Sequence, residues 1–203
     1  MKDNTNYSKL ERIFKTNGDY ITREDVDDAN ISSWFLSDFV KKNNLNKIAP
    51  GFYASDNFIV DDYFILQRRY PKYIYAGLSA LYLLGLTDKI PTDIEVSAPQ
   101  NYHPSRNKID SLIVHKLSNI NVYELGVKEV KTMFGNIVKT YDEERTICDV
   151  IKYRDKYDSE TFIKAIKIYI QNHNNQSKLF KYAKELGVEK KVYEVMEVVA
   201  NAD

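Results

Sequence analysis

The sequence predicts an α+β protein in which a small N-terminal winged helix-turn-helix precedes a mixed α/β domain that ends in a helical segment. Three observations predict it: apolar residues at helical spacing near the start, a hairpin signal directly after them, and strand-like runs between later helical patterns. The polar cluster Ser55-Asp56-Asn57 resembles a turn, so we place the winged module at residues 1–57 and the α+β domain at residues 58–203.

The first two helices of the N-terminal module follow from apolar spacing and end signals. Residues 7–17 place apolar side chains on one face, and Gly18 is a good C-terminal stop. Thr22 and Asp25 resemble a capping box in which aspartate replaces the usual glutamate. The second helix is therefore expected to begin at Thr22 and to end near Ala29.

A third helix and a hairpin complete the module. Ser32 or Ser33 is expected to cap the helix, and Leu36, Phe39 and Val40 form its buried stripe. The following segment, LNKIAPGFYAS, has two apolar runs around a Pro-Gly pair that suits a type II turn. Helix, short helix, turn, helix and hairpin is the order of a winged helix-turn-helix.

Helical and strand patterns alternate irregularly after residue 58. Strands are predicted at 94–96, 112–114, 127–133 and 137–139. Helices are predicted at 61–70, 76–86, 142–153, 159–171, 177–186 and 188–199.

Composition limits the classes of function. With 203 residues and 43% apolar residues the chain can build a proper core. The 29 basic and 29 acidic side chains balance, so a nucleic-acid site must be a local patch. One cysteine, no apolar stretch of signal-peptide length and no long apolar run predict a cytoplasmic protein without a membrane partner.

The third helix is the candidate DNA reader, because a recognition helix presents its N-terminal residues to base edges in the major groove. Serine hydroxyls can bond to bases or phosphate, a tryptophan can pack on sugar or a thymine methyl, and lysine or arginine can neutralise phosphates. The predicted DNA-binding residues are Arg23, Ser32, Ser33, Trp34, Ser37, Lys41, Lys42 and Lys47.

Two observations leave a different interpretation open, in which the module contacts only protein, the serines are solvated and Trp34 is core. Residues 1–57 carry 8 basic and 9 acidic side chains, and Asp38 lies close to the predicted reading surface. A second basic cluster lies near the start of the α+β domain and is either an additional phosphate contact or ordinary solvated surface. Its members are Arg68, Arg69 and Lys72.

Residues that suggest enzymatic chemistry are few. Asp93-Ile94-Glu95 resembles the carboxylate pair with which nucleotidyltransferases hold Mg²⁺, with Gly77 and Ser79 upstream, although Leu78 separates them. The three histidines lack metal-ligand spacing. We expect no catalytic residues, no metal and no cofactor, with a metal-dependent nucleotidyltransferase and a ligand-sensing repressor as alternatives.

The helix predicted around residue 145 is expected to stabilise the fold rather than to form a binding site. Arg145 and Asp149 lie four residues apart and are expected to pair across one turn, and Cys148 lies in an apolar run and is expected to be core. A surface that counters a toxin is the alternative for this segment.

Three motifs in order make the chain resemble the AbiEi family of bacterial abortive-infection antitoxins. They are KIAPGFY at residues 47–53, RYP at 69–71 followed by LSALYLLGLTDKIP at 78–91, and ERTICD at 144–149. In the first motif Pro50 stands where arginine is commoner in that family, so the resemblance does not imply a wing arginine here.

The resemblance implies a type IV antitoxin that counters an AbiEii-type nucleotidyltransferase toxin without forming a stable complex. It also implies repression of its own operon through inverted repeats in promoter DNA. The first domain would serve repression and the second would carry the antitoxic activity, within a phage-defence system.

Overall fold

The computed structural model describes residues 2–104, 111–172 and 175–200, and its fold is α+β. The chain divides into two compact units, residues 1–69 (the N-terminal unit) and residues 70–203 (the C-terminal unit). The boundary therefore lies after residue 69 rather than after residue 57. The reason is that the next helix supplies Ile65 to a core cluster of the N-terminal unit.

The N-terminal unit has the element order of a winged helix-turn-helix. Its elements are α1 (Lys2–Asn17), β1 (Tyr20–Thr22), α2 (Arg23–Asp28), α3 (Ser33–Lys42), β2 (Asn46–Ala49), β3 (Phe52–Ala54) and α4 (Asp62–Arg69). The three strands form an antiparallel sheet in the order β1-β3-β2. The sequence patterns did not predict β1, a strand of three residues whose side chains are all buried.

Two apolar clusters hold this unit together. One joins the three N-terminal helices through buried residues such as Leu10, Val26 and Phe39, so the predicted stripes of α1, α2 and α3 do face one core. The other joins the strands to α4 through Tyr20, Phe52, Ala54 and Ile65. Burial of such side chains from water is the main favourable contribution to folding.

The local signals that bound α2 and the wing are present as predicted. Thr22 Oγ1 accepts the N–H of Asp25 at 3.1 Å, and Asp25 Oδ2 accepts the N–H of Thr22 at 2.8 Å, which completes the capping box. Gly51 has φ of +74°, the left-handed conformation that the third position of a type II turn requires.

The C-terminal unit combines a mixed sheet with a helical end. Its strands are β4 (Ile74–Tyr75), β5 (Ile94–Pro99), β6 (Leu112–Leu117), β7 (Val127–Lys131) and β8 (Ile137–Tyr141), in the order β6-β5-β4-β8-β7. Its helices are α5 (Gly77–Leu83), α6 (Ile120–Glu124), α7 (Glu143–Lys152), α8 (Ser159–Asn172), α9 (Gln176–Glu185) and α10 (Glu189–Ala200). The sheet pairs β4 with β8 and β5 with β6 in parallel, and the other neighbours antiparallel.

The core of this unit lies among the helices. The buried cluster contains Leu81 of α5, Ile147 and Cys148 of α7, Ile166 of α8 and Leu179 of α9, so Cys148 is core as predicted. Short elements were the ones missed from sequence, because β4 and α6 hold two and five residues. Among the described helices none is both long and apolar enough to cross a membrane.

Candidate DNA interface

Helix α3 turns one apolar side inward and one polar side outward. Leu36 and Phe39 are buried in the cluster that α1 and α2 share. Ser33, Ser37 and Lys41, spaced four residues apart, are exposed and lie along the opposite side. The predicted orientation of the helix is therefore the observed one.

The start of α3 carries an exposed aromatic side chain. Trp34 is 63% exposed, and its only described ring contact is edge-on with Phe35, at 5.0 Å between ring centres. The alternative in which Trp34 is core is wrong. Ser32 occupies the N-cap position without a side-chain capping bond, so its hydroxyl is not engaged by the helix end.

The hydroxyl of Ser37 is engaged within the helix. It donates to the carbonyl oxygen of Ser33 at 3.1 Å, one turn back. Contact with a base edge or a phosphate would require this hydroxyl to rotate or to accept a further hydrogen bond.

The basic residues of the predicted interface divide into two kinds. Lys41 at the end of α3 and Lys47 on β2 are exposed and make no ion pair within residues 2–104, 111–172 and 175–200. Lys42 pairs with Asp38 at 2.9 Å, and Arg23 pairs with Asp27 at 2.8 Å. Lys41 and Lys47 can therefore neutralise a phosphate directly. Lys42 and Arg23 can do so only after their ion pairs with a carboxylate are broken.

Asp38, the acid close to the predicted reading surface, contacts Tyr7 of α1. Its carboxylate accepts the hydroxyl of Tyr7 and the ammonium of Lys42, and Lys42 also lies 4.5 Å above the Tyr7 ring. This cluster compensates the charge of Asp38 and positions Lys42 at the same time.

The wing is joined to the start of α2. The N–H of Arg23 donates to the carbonyl oxygen of Gly51 at 2.7 Å. The register of β2 against β3 shifts between Lys47 and Ala49, just before the turn. The hydrogen bond from Arg23 to Gly51 therefore links the start of α2 to the hairpin that carries Lys47.

The second basic cluster has members in both units. Arg68 pairs with Asp25 and lies 3.9 Å from Glu24, so its charge is already compensated inside the N-terminal unit. Lys72 belongs to the C-terminal unit and lies 5.6 Å above the Tyr102 ring. Arg69 ends α4. A phosphate contact by these residues stays a prediction, and for Arg68 it would require leaving Asp25.

Asp93 and Glu95 have separate surroundings. Glu95 on β5 accepts the N–H of Leu78 at 3.1 Å and lies 3.0 Å from Nε2 of His115. Asp93 precedes the strand and accepts the hydroxyl of Thr92 at 3.4 Å. The described part of the chain contains no group of three or more His, Cys, Asp or Glu side chains that could hold a metal.

Other residues of the nucleotidyltransferase hypothesis have structural contacts. Ser79 is buried, and its Oγ accepts a hydrogen bond from the backbone N–H of Glu95 at 2.9 Å. Gly77 has no Cβ, and that leaves the room which the Glu95 carboxylate occupies. A metal shared by Asp93 and Glu95 stays a hypothesis.

The predicted pair on α7 is present and buried. Arg145 Nε donates to Asp149 Oδ2 at 2.8 Å. The guanidinium also donates to the carbonyl oxygens of Val122 and Leu125 and stacks on Tyr141. With four partners for one buried cation, Arg145 holds α6 and its C-cap residue against α7.

Comparisons with known proteins show the fold and no more. No family model matches the chain, and no curated protein matches it. Among solved structures, the crystal structure of the RV2827C protein from Mycobacterium tuberculosis is similar, with a TM-score of 0.56 and 12% sequence identity. The similarity covers 89% of this chain and 71% of that chain, so both units of the α+β fold have a structural counterpart.

Proposed function

We propose that this chain is a DNA-binding transcriptional autorepressor and antitoxin, in which the N-terminal unit binds double-stranded promoter DNA. The observation that carries the DNA-binding part is the outward face of α3, where Trp34 is 63% exposed beside a row of serines and a lysine. Removing a tryptophan ring from water is favourable in free energy, and an exposed ring does not gain this contribution. Burial against a partner would recover that free energy.

Double-stranded DNA fits this face in shape and chemistry. A B-form major groove admits one α-helix, and serine hydroxyls there can bond to several base edges. The Trp34 ring offers an apolar surface for a sugar or a thymine methyl. The exposed residues of the face are Ser32, Ser33, Trp34, Ser37 and Lys41.

Phosphate contacts are expected to be few and local. Lys41 and Lys47 are available directly, and Arg23 and Lys42 become available only by exchanging a carboxylate for a phosphate. With two to four phosphates neutralised per protomer, the logarithm of the binding constant should fall with the logarithm of salt concentration with a slope of about −2 to −4.

The antitoxin part of the proposal rests on the resemblance of three sequence motifs to the AbiEi family. The C-terminal unit would counter an AbiEii-type nucleotidyltransferase toxin in the cytoplasm without a stable complex. Two of those motifs include residues of α5 and α7, which pack in the core of the C-terminal unit. The residues that act on the toxin would therefore lie around these helices rather than at the centre of the motifs.

Binding to the DNA upstream of the gene itself tests the repressor. Fluorescence anisotropy is measured at several salt concentrations with the promoter duplex and with a scrambled duplex of equal composition. Specific binding with the expected salt slope supports the proposal. Equal, weak binding to both duplexes rejects autorepression.

A variant separates the two activities. Trp34→Ala should weaken operator binding by about tenfold or more. It should still rescue cells that express the toxin, because the side chain is exposed and lies outside the core of its own unit. Loss of rescue in a folded Trp34→Ala variant would contradict the division of labour between the two units.

A further inference from the structure

A cavity opens in the C-terminal unit, where β5, β6 and α7 meet the segment that follows α7. The residues that give it chemical character are Glu95, His115, Asp149, Lys152, Tyr153 and Tyr157. None of them belongs to the proposed DNA interface, so what this cavity binds does not depend on the proposed function.

The inner wall of the cavity offers hydrogen-bond acceptors. The side chains of Glu95 and Asp149 are only 15% and 16% exposed. Each is fixed by a neighbour, Glu95 by His115 and Asp149 by Arg145 through Oδ2. Oδ1 of Asp149 has no hydrogen-bond partner in the described part of the chain, so one carboxylate oxygen is left for a donor.

A tyrosine lines the same cavity as the two carboxylates. Tyr157 is half-buried, and its hydroxyl makes no hydrogen bond to any residue that the structure describes. Desolvation, reinforced by the charges of Glu95 and Asp149, raises the pKa of Tyr157. The hydroxyl therefore stays protonated at neutral pH and is available as a donor and an acceptor.

The rim of the cavity is cationic and aromatic. Tyr153 is 41% exposed, with Lys152 5.7 Å and Lys156 4.9 Å from the centre of its ring. Lys152 also donates to the carbonyl oxygen of Leu186 at 3.4 Å. Neither lysine has a carboxylate partner among the described residues, so both charges are left for an anion.

The cavity has carboxylate acceptors inside and an aromatic ring with two lysines at its rim. A ligand that fits it carries hydrogen-bond donors at one end and a negative charge at the other. We propose that this cavity binds a nucleoside monophosphate, with N–H donors of the base toward Asp149, the Tyr157 hydroxyl on a polar base or sugar atom, and the phosphate on Lys152 and Lys156. Free phosphate would contact only the lysines at the rim, and a nucleoside without a phosphate would contact only the residues inside the cavity. A base with N–H donors, such as guanine, makes use of both.

The experiment is calorimetric titration of the full chain with GMP, guanosine and inorganic phosphate. GMP should bind at least about tenfold more tightly than either fragment, because it combines the charge-assisted contacts of the rim with those of the interior. Absence of GMP binding at millimolar concentration overturns the proposal. Equal affinities for GMP and phosphate overturn it as well, because the site is then a simple anion site.

Two variants test which residue contacts the phosphate and which contacts the nucleoside part of the ligand. Lys156→Gln should weaken GMP about tenfold and leave guanosine unchanged, because it removes one charge-assisted contact at the rim. Tyr157→Phe keeps the ring and should weaken GMP and guanosine alike, by about fivefold for one neutral hydrogen bond. Lys181→Gln, at an exposed position of α9, is the matched control and should change nothing. GMP affinity that is unchanged in both cavity variants places the ligand elsewhere and rejects the site.

Discussion

The N–H of Arg23, the first residue of α2, donates to the carbonyl oxygen of Gly51 in the wing turn at 2.7 Å. The two positions also lie close in space, since a Cβ at residue 51 would be 3.2 Å from the Cβ of Arg23. One turn therefore sets where the wing lies relative to the helix-turn-helix, and with it the position of Lys47.

Gly51→Ala should destabilise the N-terminal unit and weaken DNA binding together. A Cβ in the left-handed region costs about 1–2 kcal/mol, and the close approach to Arg23 adds to this cost. Urea unfolding measures the stability, and anisotropy measures the binding.

Gly18→Ala is the matched control for Gly51. Gly18 also has positive φ, at +85°, but a Cβ there would meet no atom within 4 Å. We expect this variant to show only the conformational cost and to bind DNA as the parent does. Equal losses in both variants would show that the contact between the wing and α2 contributes nothing.

The parts of the fold that could be predicted are those with local physical signals. The capping box at Thr22 and Asp25 and the turn at Gly51 each depend on residues close in sequence. The pairing of β4 with β5 and β8 depends on contacts between distant segments, such as Tyr75 with Thr140, and two residues carry no periodicity. The domain boundary was missed for a similar reason, because Ile65 packs in one cluster with Tyr20 of β1, which is distant in sequence.

Trp34→Ala and Lys41→Gln should separate groove contact from phosphate contact. Trp34→Ala is expected to lower operator affinity by about tenfold or more and to leave the salt slope unchanged. Lys41→Gln should weaken operator and scrambled DNA alike and reduce the magnitude of the slope by about 1. Anisotropy titrations across salt concentrations give both quantities.

Lys9→Gln is the control for these DNA variants. Lys9 is exposed on α1, outside the predicted interface, so affinity and slope should stay at their parent values. If Lys9→Gln changes the slope as much as Lys41→Gln does, the contact is diffuse and α3 is not the reader.

The candidate interface could be predicted in part, for a reason that its residues make plain. Helical spacing was enough to turn Ser33, Ser37 and Lys41 outward, because three apolar residues of the same helix had to face the core. The spacing could not show that Lys42 would pair with Asp38, or that Arg68 would pair with Asp25. The second pair joins residues 43 positions apart, and only the packing of α4 brings them together.

Arg68→Gln should lower the stability of the N-terminal unit rather than its DNA affinity. The Asp25 side chain is 8% exposed and would keep its bonds to Thr22 while losing its cation. A buried carboxylate without its partner costs about 1–3 kcal/mol. Urea unfolding should show this loss, and the exposed Arg12→Gln variant should not.

The same variant tests the predicted phosphate contact. At temperatures where Arg68→Gln is folded, the salt slope of DNA binding should match the parent if the guanidinium stays with Asp25. A slope smaller in magnitude by about 1 would instead show that Arg68 exchanges Asp25 for a phosphate.

The thiol of Cys148 should be unreactive in the native protein and should make stability depend on pH in the alkaline range. Desolvation, with a further contribution from Asp149, raises the pKa of Cys148 to about 12. The folded thiol thus keeps its proton at pH values where the unfolded thiol, with a pKa of about 8.5, ionises. The unfolded state then binds fewer protons, so the free energy of unfolding should fall as pH rises above that value.

Alkylation with iodoacetamide at pH 8.5 measures the first effect, and urea unfolding from pH 7 to pH 10 measures the second. We expect alkylation only through opening of the C-terminal unit, since Cys148 is completely buried between α7 and α9. Cys148→Ala removes this titration and should flatten the fall in stability by up to about 1.4 kcal/mol per pH unit above the unfolded pKa. Rapid alkylation of the folded chain, or an identical pH profile in Cys148→Ala, would show that the thiol is accessible and not held neutral by burial.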